Sequence, residues 1–292
     1  MLVASLTLVA CKKDEPKINP SGIKNLQSEE LPGQIKITWE KEEPVTFEHL
    51  RFTYFDKLTK KEVLRLASIY SNEIIIPNTR KKYGEYEFKI QPVSATGTEG
   101  QVYTFKATSG AAPATYQLTE GDDAVKVNLS VDMLETNAQE PSEGHIANLI
   151  DGNNYTYFHT KWSGSPINAQ HYFQINLTES LQGFKFNIST RHNGNGSGDV
   201  KRMKVEASND GETWVEVGIQ TYDLASRAAD DRRRTFNGNP ILMNAKYSKL
   251  RFTPLARRNA DPLNKSFFDM GEFSLFNEPV LITDPEAPAE GD

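Results

Sequence analysis

Sulfur and long apolar runs are scarce in this sequence. The single cysteine, Cys11, has no second cysteine with which to form an internal disulfide, so a disulfide-stapled scaffold is excluded. The apolar run in front of it, residues 2–10, is far shorter than the ~20 residues that a membrane-spanning helix requires. A run of this length is instead typical of the hydrophobic region of a secretory signal.

Positive charge is also in deficit. The chain has 33 Lys and Arg against 39 Asp and Glu, for a net charge of −6. Binding to nucleic acid favours basic proteins, so no nucleic-acid partner is expected. Hydrophobic residues make up 37% of the 292 residues, enough for packed cores, and the length favours two domains.

The residues around Cys11 carry a targeting pattern. Leu8-Val-Ala-Cys11 resembles the lipobox of bacterial lipoproteins, which implies a signal over residues 1–11 and acylation of Cys11. Lys12-Lys-Asp-Glu15 resembles the export signal of surface lipoproteins in glycan-degrading bacteria, although a solvated linker over residues 12–21 explains it equally. The resemblance implies an outer-membrane protein that is lipid-anchored and exposed at the cell surface.

Residues 22–109 show the alternation of apolar and polar side chains that half-buried strands produce. Ile35, Ile37 and Trp39 occupy alternate positions of one such run. With the string that begins at Tyr86, they make this stretch resemble a fibronectin type III or immunoglobulin-like β-sandwich, in which Tyr86 would be the corner tyrosine. No catalytic group is expected in this domain.

A second all-β domain is predicted over residues 117–278, after a linker at 110–116 that contains Pro113. Several ordered motifs resemble the coagulation factor V/VIII type C, or discoidin, family, which includes family 32 carbohydrate-binding modules. The resemblance implies a galactose-binding-like jelly roll, with a flexible tail over residues 279–292. The motifs are Asn148–Gly152, Phe158–Thr160, Ser208–Trp214, Lys249–Phe252 and Gly271–Leu275.

One short stretch, residues 147–160, concentrates oxygen donors around a glycine. Taken alone, it is explained equally by a calcium loop and by an Asx-type turn. The family resemblance implies one structural Ca²⁺ ion that joins this loop to the C-terminal strand, and no metal catalysis. The matching positions are Asn148 (through its carbonyl), Asp151, Asn153, Thr156 and Glu272.

The family resemblance also implies a ligand site on loops at one end of the sandwich. Charged and imidazole groups bond sugar hydroxyls, and an aromatic ring covers the apolar face of a sugar. Each candidate also has a structural alternative. His159 and Trp162 could pack within the loop, and Arg191 could brace a Gly-rich loop. If Phe267 and Phe268 lie on a strand, at most one of them should be exposed. The candidates are His159, Trp162, Arg191, His192, Asn193, Phe267 and Phe268.

Three functions compete at this point. The first is noncatalytic glycan binding at the cell surface within a polysaccharide-utilisation system, with other surface proteins of glycan uptake as further partners. The second is an adhesin or assembly protein that binds a protein partner. The third, a glycoside hydrolase, requires two facing carboxylates, and no such pair stands out in the sequence. We therefore expect no enzyme activity.

Overall fold

The computed structural model describes residues 19–119, 123–165, 167–194, 196–224 and 234–288. Two compact units divide between residues 115 and 116, inside the expected linker, and the segment from residue 283 belongs to the first unit. Both units are built from strands, which confirms the all-β class. Cys11 and the rest of the expected signal lie outside the described residues. No helix in the described ranges is long and apolar enough to cross a membrane.

The first unit consists of two antiparallel sheets. One has the strand order β1-β2-β5 and the other β4-β3-β6-β7. Between β5 and β6 lies a short 3-10 helix, Lys81–Tyr83. The strands are β1 (Ile23–Leu31), β2 (Gln34–Lys41), β3 (His49–Asp56), β4 (Lys61–Ser68), β5 (Glu73–Pro77), β6 (Tyr86–Val93) and β7 (Tyr103–Ala107).

The core of the first unit is formed by alternate residues of these strands. Ile35, Ile37 and Trp39 all point inward, as the period of two predicts. The hydroxyl of Tyr86, the first residue of β6, accepts the backbone N–H of Arg80 over 3.0 Å. A bond from this position to backbone a few residues upstream is the geometry of a tyrosine corner.

The second unit is dominated by one antiparallel sheet of eight strands. Its order is β14-β13-β16-β12-β18-β9, and β10 and β15 also pair with β12. Short 3-10 helices lie at Val131–Met133 and Ile146–Leu149. The sheet strands are β9 (Val125–Lys126), β10 (Leu134–Thr136), β12 (Phe173–Ser189), β13 (Val200–Ser208), β14 (Val215–Thr221), β15 (Thr235–Asn237), β16 (Ile241–Arg257) and β18 (Glu272–Asn277).

The second core is rich in phenylalanine. Phe173 and Phe252 stack with ring centres 4.9 Å apart, and Phe273 meets Phe252 edge-on at the same separation. Because aromatic pairs bury large apolar areas, this cluster fixes β12, β16 and β18 against one another. A separate two-stranded ladder, β11 (Phe158–His159) with β17 (Asp269–Met270), sets His159 opposite Asp269.

The C-terminal segment differs from the flexible tail predicted over residues 279–292. Residues 280–283 form β19 (Val280–Thr283), which pairs with β8 (Thr115–Leu118). In the first unit, the Glu286 carboxylate accepts the backbone N–H groups of Lys81, Lys82 and Ala112. The Pro- and Glu-rich composition of this segment predicts a flexible tail. It gives no sign that a short apolar run forms a strand or that a carboxylate caps backbone donors.

Candidate functional site

The loops around the β11–β17 ladder hold most of the predicted ligand-binding residues. Phe158 and Phe268 anchor this ladder in the core, with their rings edge-to-face at 5.7 Å. The backbone of Thr160 donates to the Phe268 carbonyl, and the Phe268 N–H donates to the Thr160 hydroxyl. The loops that follow residue 160 and precede residue 268 therefore leave the ladder side by side.

Arg191, at the end of β12, is fixed by two neighbours. Its guanidinium carbon lies 3.5 Å from the centre of the Tyr157 ring, a cation–π contact. Its Nε donates to the side-chain oxygen of Asn193. Arg191 therefore has the bracing role that the sequence also allowed, through Asn193 of the Gly-rich loop and through Tyr157.

A glutamate that the sequence did not single out connects the aromatic residues of the site. The Glu143 carboxylate accepts the hydroxyl of Tyr157 and, over 2.9 Å, the indole N–H of Trp162. The Tyr157 hydroxyl is the main cause that holds the pKa of Glu143 below its ordinary value. Trp162 remains 56% exposed, so the bond orients the indole without burying it.

His159 is buried beneath the exposed indole. Its Nδ1 lies 2.6 Å from the Thr160 carbonyl oxygen, which can only accept, so Nδ1 carries the proton. Burial lowers the pKa of His159, which favours the neutral ring with Nε2 as an acceptor. Nε2 lies 3.9 Å from Oδ2 of Asp269. Both atoms are acceptors, so each needs a donor of its own.

The phenylalanine pair divides between site and core. Phe267 is half-buried and stacks on His159, with ring centres 5.2 Å apart, while the Arg257 guanidinium carbon lies 3.9 Å from its ring centre. Phe268 is fully buried against Phe158. The prediction of Phe268 as a ligand contact is therefore corrected: its ring packs in the core, whereas the ring of Phe267, the residue before it, stacks on His159.

The remaining two candidates, His192 and Asn193, lie in the loop that follows β12. His192 meets the ring of Tyr155 edge-on at 4.8 Å, and Tyr155 is 70% exposed. Asn193 is exposed and bonds Arg191, as described above. The structure thus brings Arg191, Asn193 and His192 together with Tyr155 and Tyr157, neither of which was predicted from the sequence.

Glu140 was also missed, and it shapes the loop that carries Trp162. Its carboxylate accepts the backbone N–H groups of Trp162 and Ser163 and the hydroxyls of Ser142 and Ser163. These bonds, led by the one from Trp162, lower the pKa of Glu140 from 4.5 to about 2. Neither Glu140 nor Glu143 belongs to a recognisable spacing, so no signal in the sequence singles them out.

The residues of the expected calcium loop do form a cluster of oxygens. Asp151 accepts the Asn153 N–H and the Thr156 hydroxyl, and Gly152 turns the loop at a positive φ of 70°. Asn148 ties the start of the loop to the carbonyl of Tyr157. Gly152 and Glu272 line the same cavity of about 180 Å³, which brings the loop and the C-terminal strand together. The bonds to Asp151 are those of an Asx-type turn, the alternative to a calcium loop, and the Ca²⁺ ligands stay a prediction.

One family model matches part of the second unit. Residues 134–265 match the F5/8 type C domain. A sialidase from Micromonospora viridifaciens is 29% identical over 167 residues, which are 54% of this chain and 25% of the relative. The chain therefore spans about a quarter of the length of that enzyme.

The chain is also similar to solved structures. The family 32 module of NanJ from Clostridium perfringens, solved with galactose, is 19% identical and covers 49% of this chain and 92% of its own, with a TM-score of 0.36. A SusE-like protein is 14% identical and covers 87% of this chain and 96% of its own, with a TM-score of 0.37.

Proposed function

We propose that this protein binds glycans without catalysis, through the loop cluster formed by Arg191, Tyr157, Glu143, His159 and Trp162. The observation that carries the proposal is the exposed indole of Trp162, which a hydrogen bond to Glu143 holds beside the Arg191–Tyr157 pair. The F5/8 type C match of the same unit agrees with a binding role.

Each group in the cluster has a role in sugar recognition. The indole face of Trp162 covers the C–H face of a pyranose, which is apolar. Arg191 and Glu143 supply a charged donor and a charged acceptor, and charge-assisted hydrogen bonds are the strong ones. Nε2 of His159 is a further hydrogen-bond acceptor next to the indole. The combination favours a neutral, polyhydroxylated ligand at this site.

The two glutamates of the site favour binding over hydrolysis. A glycosidase needs one carboxyl group that stays protonated near neutral pH, which requires a raised pKa. Hydrogen-bond donors lower the pKa of Glu143 and bring that of Glu140 to about 2. Both are therefore ionised carboxylates, which suit the acceptance of hydrogen bonds and not the donation of a catalytic proton.

We extend the proposal to the setting of the site. The Ca²⁺ ion would be held by Asn148, Asp151, Asn153, Thr156 and Glu272, and when bound it would tie the loop to the C-terminal strand. Cys11 would carry the lipid that anchors the chain in the outer membrane, within a polysaccharide-utilisation system. The first unit would be a fibronectin III-like or immunoglobulin-like spacer, for which the tyrosine corner at Tyr86 is the support.

A protein partner is the second candidate, and the first unit offers the observation for it. On the outer face of β3 and β4, Phe55, Leu64 and Leu66 are 49%, 51% and 59% exposed. Leu64 and Leu66 pair with Thr53 and Arg51, so their side chains share one sheet face. Neighbouring exposed apolar residues are typical of protein contact surfaces.

A glycan array probed with the chain from residue 12 onward tests the proposal, with calcium and then with a chelator. We expect a defined hit among galactose-, glucosamine- or uronate-containing glycans. No hit, together with binding of a protein partner that Leu64→Asp and Leu66→Asp abolish, would overturn glycan binding in favour of the second candidate.

A further inference from the structure

A second cavity lies beside the loop cluster and shares Trp162 with it. Its volume is about 170 Å³, below the ~300 Å³ at which drug-sized sites begin, so it suits one small group or ring. Its lining includes the aromatic residues Trp162 and Phe267 and the polar residues Ser163, Lys161, Lys265 and His171. A ligand that covers Trp162 in the loop cluster would meet this cavity on the same indole.

His171 is the unusual member of the lining. It lies two residues before β12, is only 2% exposed, and neither of its ring nitrogens has a hydrogen-bond partner among the residues that the structure describes. Buried polar groups are paired in the large majority of cases, so two unpaired nitrogens on one buried ring call for an explanation. A polar ligand group in the cavity that the ring lines would supply the missing partner.

The charges around the cavity define what that group would be. Two lysines, Lys161 and Lys265, line it, and the lining residues that the structure describes include no Asp or Glu. Two carboxylates bond lining residues: Glu140 accepts the donors of residues 142, 162 and 163, and Glu143 accepts the indole N–H of Trp162. The side chain of Lys265 is held by Asn168 over 2.7 Å, which fixes the ammonium group near this loop.

We propose that this cavity is a subsite for the carboxylate of an acidic sugar, recognised by His171 and Lys265. The inference rests on the proposed function, because it adds an acidic residue beside the neutral sugar on Trp162. A carboxylate accepts from the imidazole and the ammonium group together, and charge-assisted bonds of this kind are strong when water is excluded. The full ligand would then be an oligosaccharide that carries one uronic or sialic acid.

The test uses three acids, each beside a neutral counterpart of the same ring. Sodium glucuronate, galacturonate and N-acetylneuraminate are titrated against their amides or methyl esters into the chain with ¹⁵N-labelled histidine. His171→Phe assigns the ring signals among the five histidines. We expect at least one acid to shift the His171 signals and to bind at least tenfold more tightly than its neutral form. The acid that binds identifies the source of the carboxylate.

Lys265→Gln provides the matched variant, and Lys246→Gln, an exposed lysine outside the cavity, the control. Lys265→Gln should weaken the acid at least threefold, while Lys246→Gln leaves it unchanged. Arg191→Ala should leave the His171 shifts in place, so failure of the loop cluster and failure of the cavity give different results. Absence of His171 shifts with all three acids, equal binding of the neutral forms, or full binding by Lys265→Gln would overturn the proposal.

Discussion

The indole N–H of Trp162 donates to the Glu143 carboxylate over 2.9 Å, although the two residues are 19 positions apart in the chain. The same carboxylate accepts the hydroxyl of Tyr157, on which Arg191 lies. One acid thus sets the orientation of the exposed aromatic ring and of the ring that carries the guanidinium. Because a preorganised side chain loses less entropy on binding, this arrangement favours recognition of a weakly held ligand.

Removal of the Glu143 carboxylate should therefore weaken glycan binding. We expect Glu143→Ala to lower affinity roughly tenfold, the scale of one charge-assisted hydrogen bond, and Glu143→Gln to lower it less because the amide oxygen still accepts. Isothermal calorimetry with the glycan from the array measures both. Glu99→Ala, which breaks an ion pair in the first unit, is the control. If Glu143→Ala binds the glycan with wild-type affinity, the Glu143 carboxylate has no role in binding.

Phe267 and Phe268 form a matched pair with opposite expected effects. Phe268→Ala removes a fully buried ring and should lower the free energy of unfolding by about 3–5 kcal/mol. Phe267→Ala removes a half-buried ring that stacks on His159, and should reduce glycan binding at a stability cost of only about 1 kcal/mol. Chemical denaturation and calorimetry of the two variants read out both effects. Similar stability losses would place both rings in the core.

Acid should loosen the Trp162 loop through Glu140. Its pKa falls from 4.5 in the unfolded chain to about 2 in the folded one, so the folded state favours the ionised form. The resulting stabilisation is complete above about pH 4.5 and is lost as pH falls toward 2. As the pH is lowered from 6 to 2.5, the melting temperature should fall less steeply for Glu140→Gln than for the wild type. Parallel curves would contradict the role of this carboxylate.

Calcium should stabilise the second unit without taking part in ligand contact. An ion at 100 times its Kd adds about 2.7 kcal/mol to the folded state, so a chelator should lower the melting temperature. Asp151→Ala should have the lower melting temperature from the outset and show no response to the chelator. Scanning calorimetry with and without calcium measures this. If neither calcium nor chelator changes the melting temperature of the wild type, the prediction of a stabilising calcium ion is wrong.

The fold was accessible from the sequence, whereas the organisation of the site was only partly so. Alternation such as Ile35, Ile37 and Trp39 indicates strands directly, because side-chain burial follows a period of two. Arg191, His159 and Trp162 were predicted from motif positions, and the structure places all three around the β11–β17 ladder. The predicted calcium ligands stay a prediction, supported by the cluster of oxygens around Asp151.

What the sequence could not supply are contacts between distant segments. Glu143 meets Trp162 and Tyr157 only after the loops fold together, and the choice between Phe267 and Phe268 depends on which of the two rings packs in the core. The unpaired nitrogens of His171 are likewise a property of its three-dimensional surroundings. Composition misled in the C-terminal segment, where Glu286 caps backbone donors of the first unit.

The central claim is that the loop cluster around Arg191 binds the glycan, and Arg191→Ala tests it most directly. Calorimetry of the wild type and the variant with the array glycan should show an affinity loss of roughly tenfold or more, since a charged donor is removed. Arg65→Ala, an exposed arginine on β4, should bind as the wild type does. The melting temperature of Arg191→Ala should stay near that of the wild type. Undiminished affinity in a folded Arg191→Ala would contradict the placement of the site.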